Sequence, residues 1–357
     1  MHHVAIFPEK FWPKGISLNE TVIREGTKMS KSRGNVIPLA DIAKKYSADL
    51  FRLYVASGAD LDGIVDWREA DVESLKKVLL GFASLVLEAS KVEEPQQLDK
   101  IDRWLLSRFY RRLKRCEELL ENLRIREFIV SMFFEALNDI SYHRKRSSKE
   151  RNLSIVRKIL RDWVIVLSPI IPHICEEVWS RIRSDGDPWT INSARWPKVR
   201  EEYIDTIVEA CEEVVQRLID VGREILGLLK ARPQRAVIVI AARWKYKAFC
   251  KLGELIKQNI RNVKILMNKL LEDASLKPHA SSLMTIVKRV ASGRIQIPKI
   301  MLDRDTEYEA LSEAKDYVAR ELGLGSIRVA YEEDIEEKLK ERASKALPMR
   351  PVIIFLE

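Results

Sequence analysis

The sequence is poor in cysteine, and the few cysteines it has are not spaced to bind metal or to form bridges. Cys116, Cys175, Cys211 and Cys250 lie far apart in the 357 residues, with no C-x-x-C pair and no histidine cluster nearby. Structural zinc sites and disulfide frameworks need close, recurrent spacings, so neither is expected. We expect free, buried thiols in a reducing compartment and no structural zinc site.

Two further absences bear on where the protein acts. No run of 18 apolar residues occurs, so no membrane-spanning helix is expected. The first eight residues contain no basic segment followed by an apolar one, which argues against a secretory signal. We therefore expect a cytoplasmic protein. No internal repeat or low-complexity tract is evident either.

Charge is abundant, and its basic excess is concentrated. The chain has 62 Lys and Arg against 53 Asp and Glu, a formal net charge of +9. Residues 101–166 hold 16 basic and 9 acidic side chains, and residues 243–269 hold 8 and one, so each region carries +7. Two such regions favour an anionic partner such as nucleic acid. A general surplus of surface Lys and Arg, of the thermophile kind, is the alternative.

Apolar periodicity predicts a mainly α protein. Apolar side chains recur at helical spacing over residues 72–89, 99–122, 124–146 and 151–167, and a further helix is predicted from about Pro172 to Arg183. Helices joined by short links are typical of an antiparallel bundle. A long helix is predicted next, at 204–229.

The two ends of the chain differ from this bundle. Residues 1–38 contain loop signals and short candidate strands at 4–7 and 21–23, which predicts the end of an α/β unit, since a complete nucleotide-binding fold needs more repeats. Short helices are predicted at 39–57 and a loop at 60–67. Beyond Pro233, helices at 245–258 and 305–322 alternate with candidate strands, which predicts a small C-terminal α/β domain. Those strands are placed at 236–240, 263–267, 285–290, 294–300, 327–331 and 352–356. The predicted regions are therefore 1–70, 71–200, 201–232 and 233–357.

One loop carries residues suited to phosphate chemistry. It places two lysines among hydroxyl side chains, in the order Lys28, Met29, Ser30, Lys31, Ser32. Cations on a mobile loop suit a nucleoside triphosphate, because negative charge builds up on the pyrophosphate that leaves and the cations then stabilise the transition state more than the ground state. A K-x-x-K pair alone is a weak signal, since lysine-rich surface loops are common. The five-residue string is far more specific.

This string resembles the KMSKS signature of class I aminoacyl-tRNA synthetases. A second stretch, residues 168–179, resembles the S-P-x-x-P-H-x-x-E-E-x-W turn of the Ile/Val/Leu/Met subclass, and it begins 140 residues after Lys28. Residues 3–8, 12–16, 48–54 and 66–68 are similar to segments of archaeal and eukaryote-type leucyl-tRNA synthetases. An isoleucyl or methionyl type is the alternative. The resemblance covers nearly the whole chain and is diffuse beyond residue 200.

The resemblance implies roles for residues 1–200. It implies leucine–tRNA ligase chemistry with ATP as a substrate, accompanied by Mg²⁺. Lys31 would contact the ATP phosphates with support from Lys28 and Ser30, Met29 would pack the loop against the bundle, and Ser32 completes the ATP-binding set. Asp49 and Arg52 either brace the helix behind the loop or form a surface ion pair. The bundle would be of the class I anticodon-binding kind, with its last turn held by His173, Glu176, Glu177 and Trp179.

The same resemblance implies tRNA(Leu) as a partner, with the C-terminal α/β domain reading its long variable arm. Candidate phosphate contacts in the bundle are Arg108, Arg112 and Arg115, which share a helix face, and the basic turn with Arg144, Lys145 and Arg146. In the C-terminal domain the candidates are Lys245, Lys247, Lys251, Lys257 and Arg261, and the end near Arg350. For any one of them, a solvated surface charge is the alternative.

The family's other signature, H-x-G-H, is absent. The five histidines at positions 2, 3, 143, 173 and 279 do not form it, and the leucine pocket and editing domain that precede KMSKS in the family are absent as well. We therefore expect this chain not to activate leucine alone, and a separate or missing N-terminal part to supply these functions. Three explanations remain open: a subunit of a split enzyme, a fragment of a longer one, or a truncated paralogue kept for tRNA binding.

Overall fold

The chain folds into two units, and helices make up most of each. The computed structural model describes residues 5–13, 15, 20–229 and 232–356, with Ala43 described by its backbone only. The units meet in sequence at Ile204 and Asp205. A helical bundle precedes a smaller α/β unit, which confirms the predicted fold class. None of the described helices is both long enough and apolar enough to cross a bilayer.

The first unit begins with a small sheet that carries the lysine loop. Its strands are β1 (Val22–Arg24), β2 (Thr27–Lys28) and β3 (Val65–Trp67), and β1 pairs antiparallel with β2 and parallel with β3. The helices α1 (Leu39–Lys45) and α2 (Ala48–Gly58) lie between β2 and β3 in the chain. The prediction of a loop throughout 60–67 is thus wrong, because a three-residue strand is too short to show a period. Of the strand predicted at 4–7, Val4 lies outside the described residues, and Ala5 and Ile6 are helical.

The bundle follows directly and matches the predicted helices closely. Its members are α3 (Glu69–Ala89), α4 (Lys100–Glu121), α5 (Ile125–Ile129), α6 (Ala136–Arg146), α7 (Lys149–Leu167) and α8 (Pro172–Ile182). The helix predicted at 124–146 is divided by a wider π-helical segment, Val130–Glu135. Two carbonyl oxygens of this segment accept side-chain hydrogen bonds, Ser131 from Arg112 Nε at 3.1 Å and Met132 from Trp163 Nε1 at 2.7 Å. The apolar period passes through the segment unbroken, so sequence alone does not reveal it.

The second unit is a three-stranded sheet with helices. Its elements are α9 (Thr206–Leu228), β4 (Arg235–Ile240), α10 (Arg243–Lys257), α11 (Val263–Leu271), α12 (Ala280–Ala291), α13 (Arg304–Leu322), β5 (Ser326–Tyr331), α14 (Lys340–Ala343) and β6 (Val352–Leu356). The central strand β4 is parallel to β5 and antiparallel to β6. Helix α9 packs on α13, where a Cβ at Gly222 would lie 2.8 Å from Leu322 Cδ1. Residues 206–228 therefore belong to this unit, whereas residues 230 and 231 lie outside the described part.

Three of the strands predicted in this unit are wrong. Residues 263–267 and 285–290 lie in helices α11 and α12, and residues 294–300 form no strand. Short segments that are rich in β-branched residues fit a helix as well as a strand. Residues 263–267 and 285–290 are helical because they pack with α10 in one hydrophobic core, in which Phe249, Leu266 and Val287 are fully buried.

Glu307 is a fully buried carboxyl in this second unit. Its Oε2 accepts hydrogen bonds from the Tyr246 hydroxyl at 2.7 Å and the Met349 N–H at 2.8 Å. Its Oε1 has no hydrogen-bond partner among the described residues. Burial raises the pKa of Glu307 to about 7, and the two hydrogen bonds offset this only in part. The folded protein therefore retains this proton nearly up to neutral pH.

This raised pKa predicts a pH-dependent stability. Because the folded pKa lies above the ordinary value of 4.5, the free energy of unfolding should fall as pH rises from there to about 7, and then level off. In the parent we expect this decrease in the free energy of unfolding to be on the order of 2–3 kcal/mol. Glu307→Gln, whose amide oxygen still accepts both hydrogen bonds, should not show it because it has no carboxyl to titrate. Urea unfolding at pH 5 and pH 8, followed by circular dichroism, measures it. The exposed Asp316→Asn on the same helix is the control, and an unchanged pH dependence in Glu307→Gln would contradict the assignment.

Candidate functional site

The lysine loop is fixed at its base by contacts to β3 and α3. Glu25 and Gly26 form the turn between β1 and β2 with positive φ values of 47° and 74°. The Gly26 N–H donates to Asp66 Oδ1 at 3.0 Å, and Glu25 Oε1 accepts the Glu69 N–H at the start of α3 at 3.0 Å. The Gly26 N–H, followed by Arg68, lowers the pKa of Asp66. The segment 66–68, which carries part of the family resemblance, and the adjacent Glu69 thus anchor the hairpin.

Asn35 closes the loop on its other side. Its Oδ1 accepts the Ser30 N–H at 2.8 Å, and its Nδ2 donates to the Lys28 carbonyl at 3.1 Å. Ser30 in turn caps the single 3₁₀ turn Lys31–Arg33 by accepting the Arg33 N–H, and Gly34 ends that turn with φ 65°. One amide side chain therefore binds the backbone of both the first and the middle residue of the KMSKS string. Sequence alone did not reveal this role, although Asn35 lies only three residues after the string.

Both lysines of the loop project into solvent. Lys28 and Lys31 are exposed, and neither forms an ion pair with any residue in the described part of the chain. Ser30 and Ser32 place their hydroxyl oxygens 2.9 Å apart between them, and Met29 is half-buried. The loop thus offers two ammonium groups without a competing carboxylate. That arrangement can bind a polyanion without first breaking an internal ion pair.

Asp49 and Arg52 connect the helix behind the loop to the bundle. Asp49 is 2% exposed, and its carboxylate accepts the N–H groups of His173 at 3.2 Å and Ile174 at 2.8 Å. Arg52 donates to the carbonyls of Pro169 at 2.6 Å and Ile170 at 3.1 Å. The two side chains therefore bind the backbone of the S-P-x-x-P-H turn, and the alternative of a surface ion pair between them is wrong. The segment 48–54 and the turn at 168–179, noted separately in the sequence, therefore meet here.

The other residues predicted to hold this turn have different partners. Glu176 accepts the Ile191 N–H at 2.9 Å, and the buried Trp179 donates through Nε1 to the Pro188 carbonyl at 3.1 Å. Both thus anchor the segment after α8. His173 Nδ1 lies 2.8 Å from Asp49, with its side chain largely exposed. Glu177 forms an exposed pair with Arg181 one helical turn later.

The arginines predicted as an RNA-binding face on α4 all have carboxylate partners. Arg112 is 8% exposed and lies 2.8 Å from Asp139, to which Arg108 also binds at 3.3 Å. Arg115 binds Glu127 at 3.2 Å and remains exposed. Burial raises the pKa of Asp139, although both arginines counteract it. The assignment of Arg112 is therefore corrected: its buried guanidinium holds Asp139 and the π-helical segment.

The predicted basic turn keeps more of its charge at the surface. Arg144 and Lys145 are exposed and Arg146 is half-buried. The turn rests on the fully buried His143, whose Nε2 lies 2.8 Å from Asp102 and whose Nδ1 lies 3.0 Å from Asn152 Nδ2. This buried network fixes the end of α6 and the start of α7. The turn is therefore a defined surface rather than a loose loop.

The basic helix α10 separates into buried, paired and exposed cations. Lys245 is 2% exposed, with Nζ bound to Glu332 at 2.8 Å and to the Ser344 and Ala346 carbonyls. Its assignment as an RNA contact is therefore corrected, because its donors are used internally and burial lowers its pKa. Lys247 and Lys251 both bind Asp273, at 2.8 and 2.9 Å.

Four cations at and after the end of this helix have no such partner. They are exposed and form no ion pair within the described ranges: Lys257, Arg261, Lys264 and Lys269. The first two were candidates from sequence, and the other two lie in the same basic region but were not singled out. The half-buried Arg350 lies close enough to Arg217 and Arg289 that burial and then these two cations lower its pKa.

Comparison with protein families places both motif regions in known domains. A model described as "Anticodon-binding domain of tRNA ligase" matches residues 102–241. A second model, described as "tRNA synthetases class I (I, L, M and V)", matches residues 14–67, which include the lysine loop, α1, α2 and β3. The two matches follow one another in the order of the two motifs.

Curated relatives match along the whole chain. A "Leucine--tRNA ligase" of Staphylothermus marinus is 38% identical over 352 residues, which are 98% of this chain and 35% of that protein. The "Leucine--tRNA ligase" of Pyrococcus furiosus is 34% identical over 100% of this chain and 36% of its own length. The chain thus spans about a third of the length of these relatives. A solved LeuRS-tRNA-LeuAMS complex from Agrobacterium radiobacter K84 is 17% identical over 63% of this chain and 25% of that chain, with a TM-score of 0.43.

The chain therefore belongs to the class I tRNA synthetases of the isoleucine, leucine, methionine and valine group. Within that group it corresponds to the C-terminal part of the archaeal-type leucine–tRNA ligases. The anticodon-binding-like bundle expected from the sequence is confirmed.

The closure of the loop by Asn35 can be tested without catalysis. Asn35→Ala removes the acceptor of the Ser30 N–H and the donor to the Lys28 carbonyl, so we expect hydrogen exchange at Ser30 to accelerate roughly five- to tenfold. Asn35→Asp keeps the acceptor and loses the donor, and it should give an intermediate rate. Amide exchange followed by NMR measures both. Equal rates in all three proteins would show that Asn35 does not hold the loop.

Proposed function

We propose that this chain works in leucine–tRNA ligation, supplying the phosphate-contacting loop and the tRNA-binding surfaces. The reaction activates leucine with ATP and transfers it to tRNA(Leu). One observation carries the proposal: the KMSKS loop is held at its base and its closure while both lysines remain exposed and unpaired within the described part of the chain. The similarity of the whole chain to leucine–tRNA ligases supports the choice of amino acid.

In this proposal Lys31, supported by Lys28, binds the β- and γ-phosphates of ATP as pyrophosphate leaves. The ammonium groups stabilise the charge that develops on the leaving group, and Mg²⁺ accompanies ATP as its counter-ion. Ser30 and Ser32 add hydroxyl donors, and Met29 packs beneath the loop. The hairpin and Asn35 keep the cations oriented before the substrate arrives, which lowers the reorganisation that the reaction needs.

In this proposal a part that carries H-x-G-H binds the adenosine of ATP and the leucine, and it also supplies the editing reaction. This chain would therefore activate leucine only together with that part. A non-catalytic tRNA-binding paralogue is the second candidate, since the match to an anticodon-binding domain supports tRNA binding without requiring catalysis. Both candidates bind tRNA, and only the first depends on the lysines of the loop.

ATP–pyrophosphate exchange with leucine separates these candidates. With an H-x-G-H-bearing part of a related enzyme added, we expect exchange, and Lys31→Gln should lower kcat about 100-fold because one transition-state cation is lost. Lys44→Gln, an exposed lysine in α1, is the matched control and should change little. Exchange by this chain alone would contradict the dependence. Lack of exchange with the partner present, together with tight tRNA binding, would favour the paralogue.

Binding of a leucine tRNA should depend on the four exposed cations at and after the end of α10. Replacing Lys257, Arg261, Lys264 and Lys269 with glutamine should weaken binding and reduce the slope of log affinity against log salt by about one for each phosphate that is no longer neutralised. Lys338→Gln with Lys340→Gln, two lysines that pair with neighbouring glutamates, is the control. An unchanged salt slope in the fourfold variant would exclude this surface as the phosphate-binding one.

A further inference from the structure

A largely exposed tryptophan lies on a well-ordered loop after α8. Trp189 is 77% exposed, whereas the tryptophans of the bundle core, Trp104, Trp163 and Trp179, are at most 4% exposed. The Arg183 guanidinium lies 4.0 Å from the centre of the Trp189 ring, and it donates to the Trp189 carbonyl at 3.2 Å. An indole in this position gains nothing from the hydrophobic core.

The backbone on both sides of Trp189 is held by four side chains. Asp187 accepts two hydrogen bonds from Arg161, at 2.7 and 2.5 Å, and one from the Ser184 N–H. The Pro188 carbonyl accepts from the buried Trp179, and the Ile191 N–H donates to Glu176. The loop is thus held at residues 187, 188 and 191. The Trp189 ring is therefore exposed from an anchored loop and not because its backbone lacks contacts.

We propose that Trp189 and Arg183 form a stacking platform for an unpaired base of bound RNA, a role that rests on the proposed tRNA binding. Arg183 covers one face of the indole, and the exposure of the side chain leaves the other face open to a planar ring. Aromatic side chains beside arginine bind single-stranded bases in this way, the ring by stacking and the cation by its attraction to the π-system or to phosphate.

The charges around the ring favour RNA over an apolar protein partner. Between residues 181 and 200 the sequence is more basic than acidic. One of its acids, Asp187, is already bound to Arg161. The cation fixed on the ring would have to be desolvated in an apolar interface, which is costly, whereas it attracts a polyanion. The platform also lies within the region that matches an anticodon-binding domain.

Substitution by leucine and by phenylalanine separates stacking from plain hydrophobic contact. We expect Trp189→Leu, which retains apolar area but has no ring, to bind a transcribed leucine tRNA about tenfold more weakly, and Trp189→Phe to stay within about threefold of the parent. The salt slope should be the same in all three proteins, because every phosphate-binding cation is still present. Leu80→Ala, at another exposed apolar side chain, is the control and should bind as the parent does.

The RNA is varied in the second half of the experiment. A fully paired RNA duplex offers no open base, so Trp189→Leu should bind it as tightly as the parent does. The difference in fluorescence between the parent and Trp189→Phe is the contribution of Trp189. Acrylamide should quench this contribution less when tRNA is bound to the parent.

Several results would overturn the platform. These are parent-like tRNA binding by Trp189→Leu, equal losses of affinity in both variants, or an equal loss on the duplex. Weaker association of Trp189→Leu with the H-x-G-H-bearing part in the absence of RNA would identify a protein interface instead. No tRNA binding by the parent chain would defeat the proposed function itself, whereas parent-like binding by Trp189→Leu defeats only the platform.

Discussion

The carboxylate of Asp49 attaches α2 to the start of α8, and together with Arg52 it connects the region that follows the lysine loop to the helical bundle. Helix α8 begins after Ile171, which has no side-chain acceptor, so the N–H groups of its first turn need a partner from elsewhere. Asp49 supplies that partner from α2, 124 residues earlier in the chain. Burying those N–H groups without an acceptor costs on the order of 1–3 kcal/mol. Helix α2 is therefore attached to the bundle by a contact that also provides the acceptor for the first N–H groups of α8.

Internal hydrogen bonds and ion pairs also determine which basic side chains are available to a ligand. Arg112 and Lys245 are buried, and their donors hold the π-helical segment and the turn before β6. Arg108, Arg115, Lys247 and Lys251 share carboxylates with neighbouring elements. Lys28 and Lys31 in the loop, and the four cations at and after the end of α10, have no such partner within the described residues. The basic residues behind the net charge of +9 are therefore of three kinds: buried, paired with a carboxylate, or exposed without such a partner. Only the packing of the folded chain shows which residue belongs to which kind.

Helix positions could be predicted well, and short strands could not. The bundle helices are long enough for their period to show, and α4 at Lys100–Glu121 lies within the predicted 99–122. The strand β3 has three residues, and its identity depends on pairing with β1. Residues 263–267 and 285–290 have the composition of strands, yet they are helical because Leu266 and Val287 complete a core with α10. Similarly, α9 belongs to the second unit because Gly222 lets it approach α13, a contact that local sequence does not show.

By itself the sequence determined the two motifs, the helical class and the family, because each depends on residues close together in the chain. Tertiary structure alone decided that Asn35 closes the loop, that Asp49 and Arg52 bind the turn before α8, and that Arg112 and Lys245 are internal. It also decided that Trp189 faces solvent from a fixed loop. These features depend on contacts between residues far apart in the chain or on burial, and neither periodicity nor a motif contains that information.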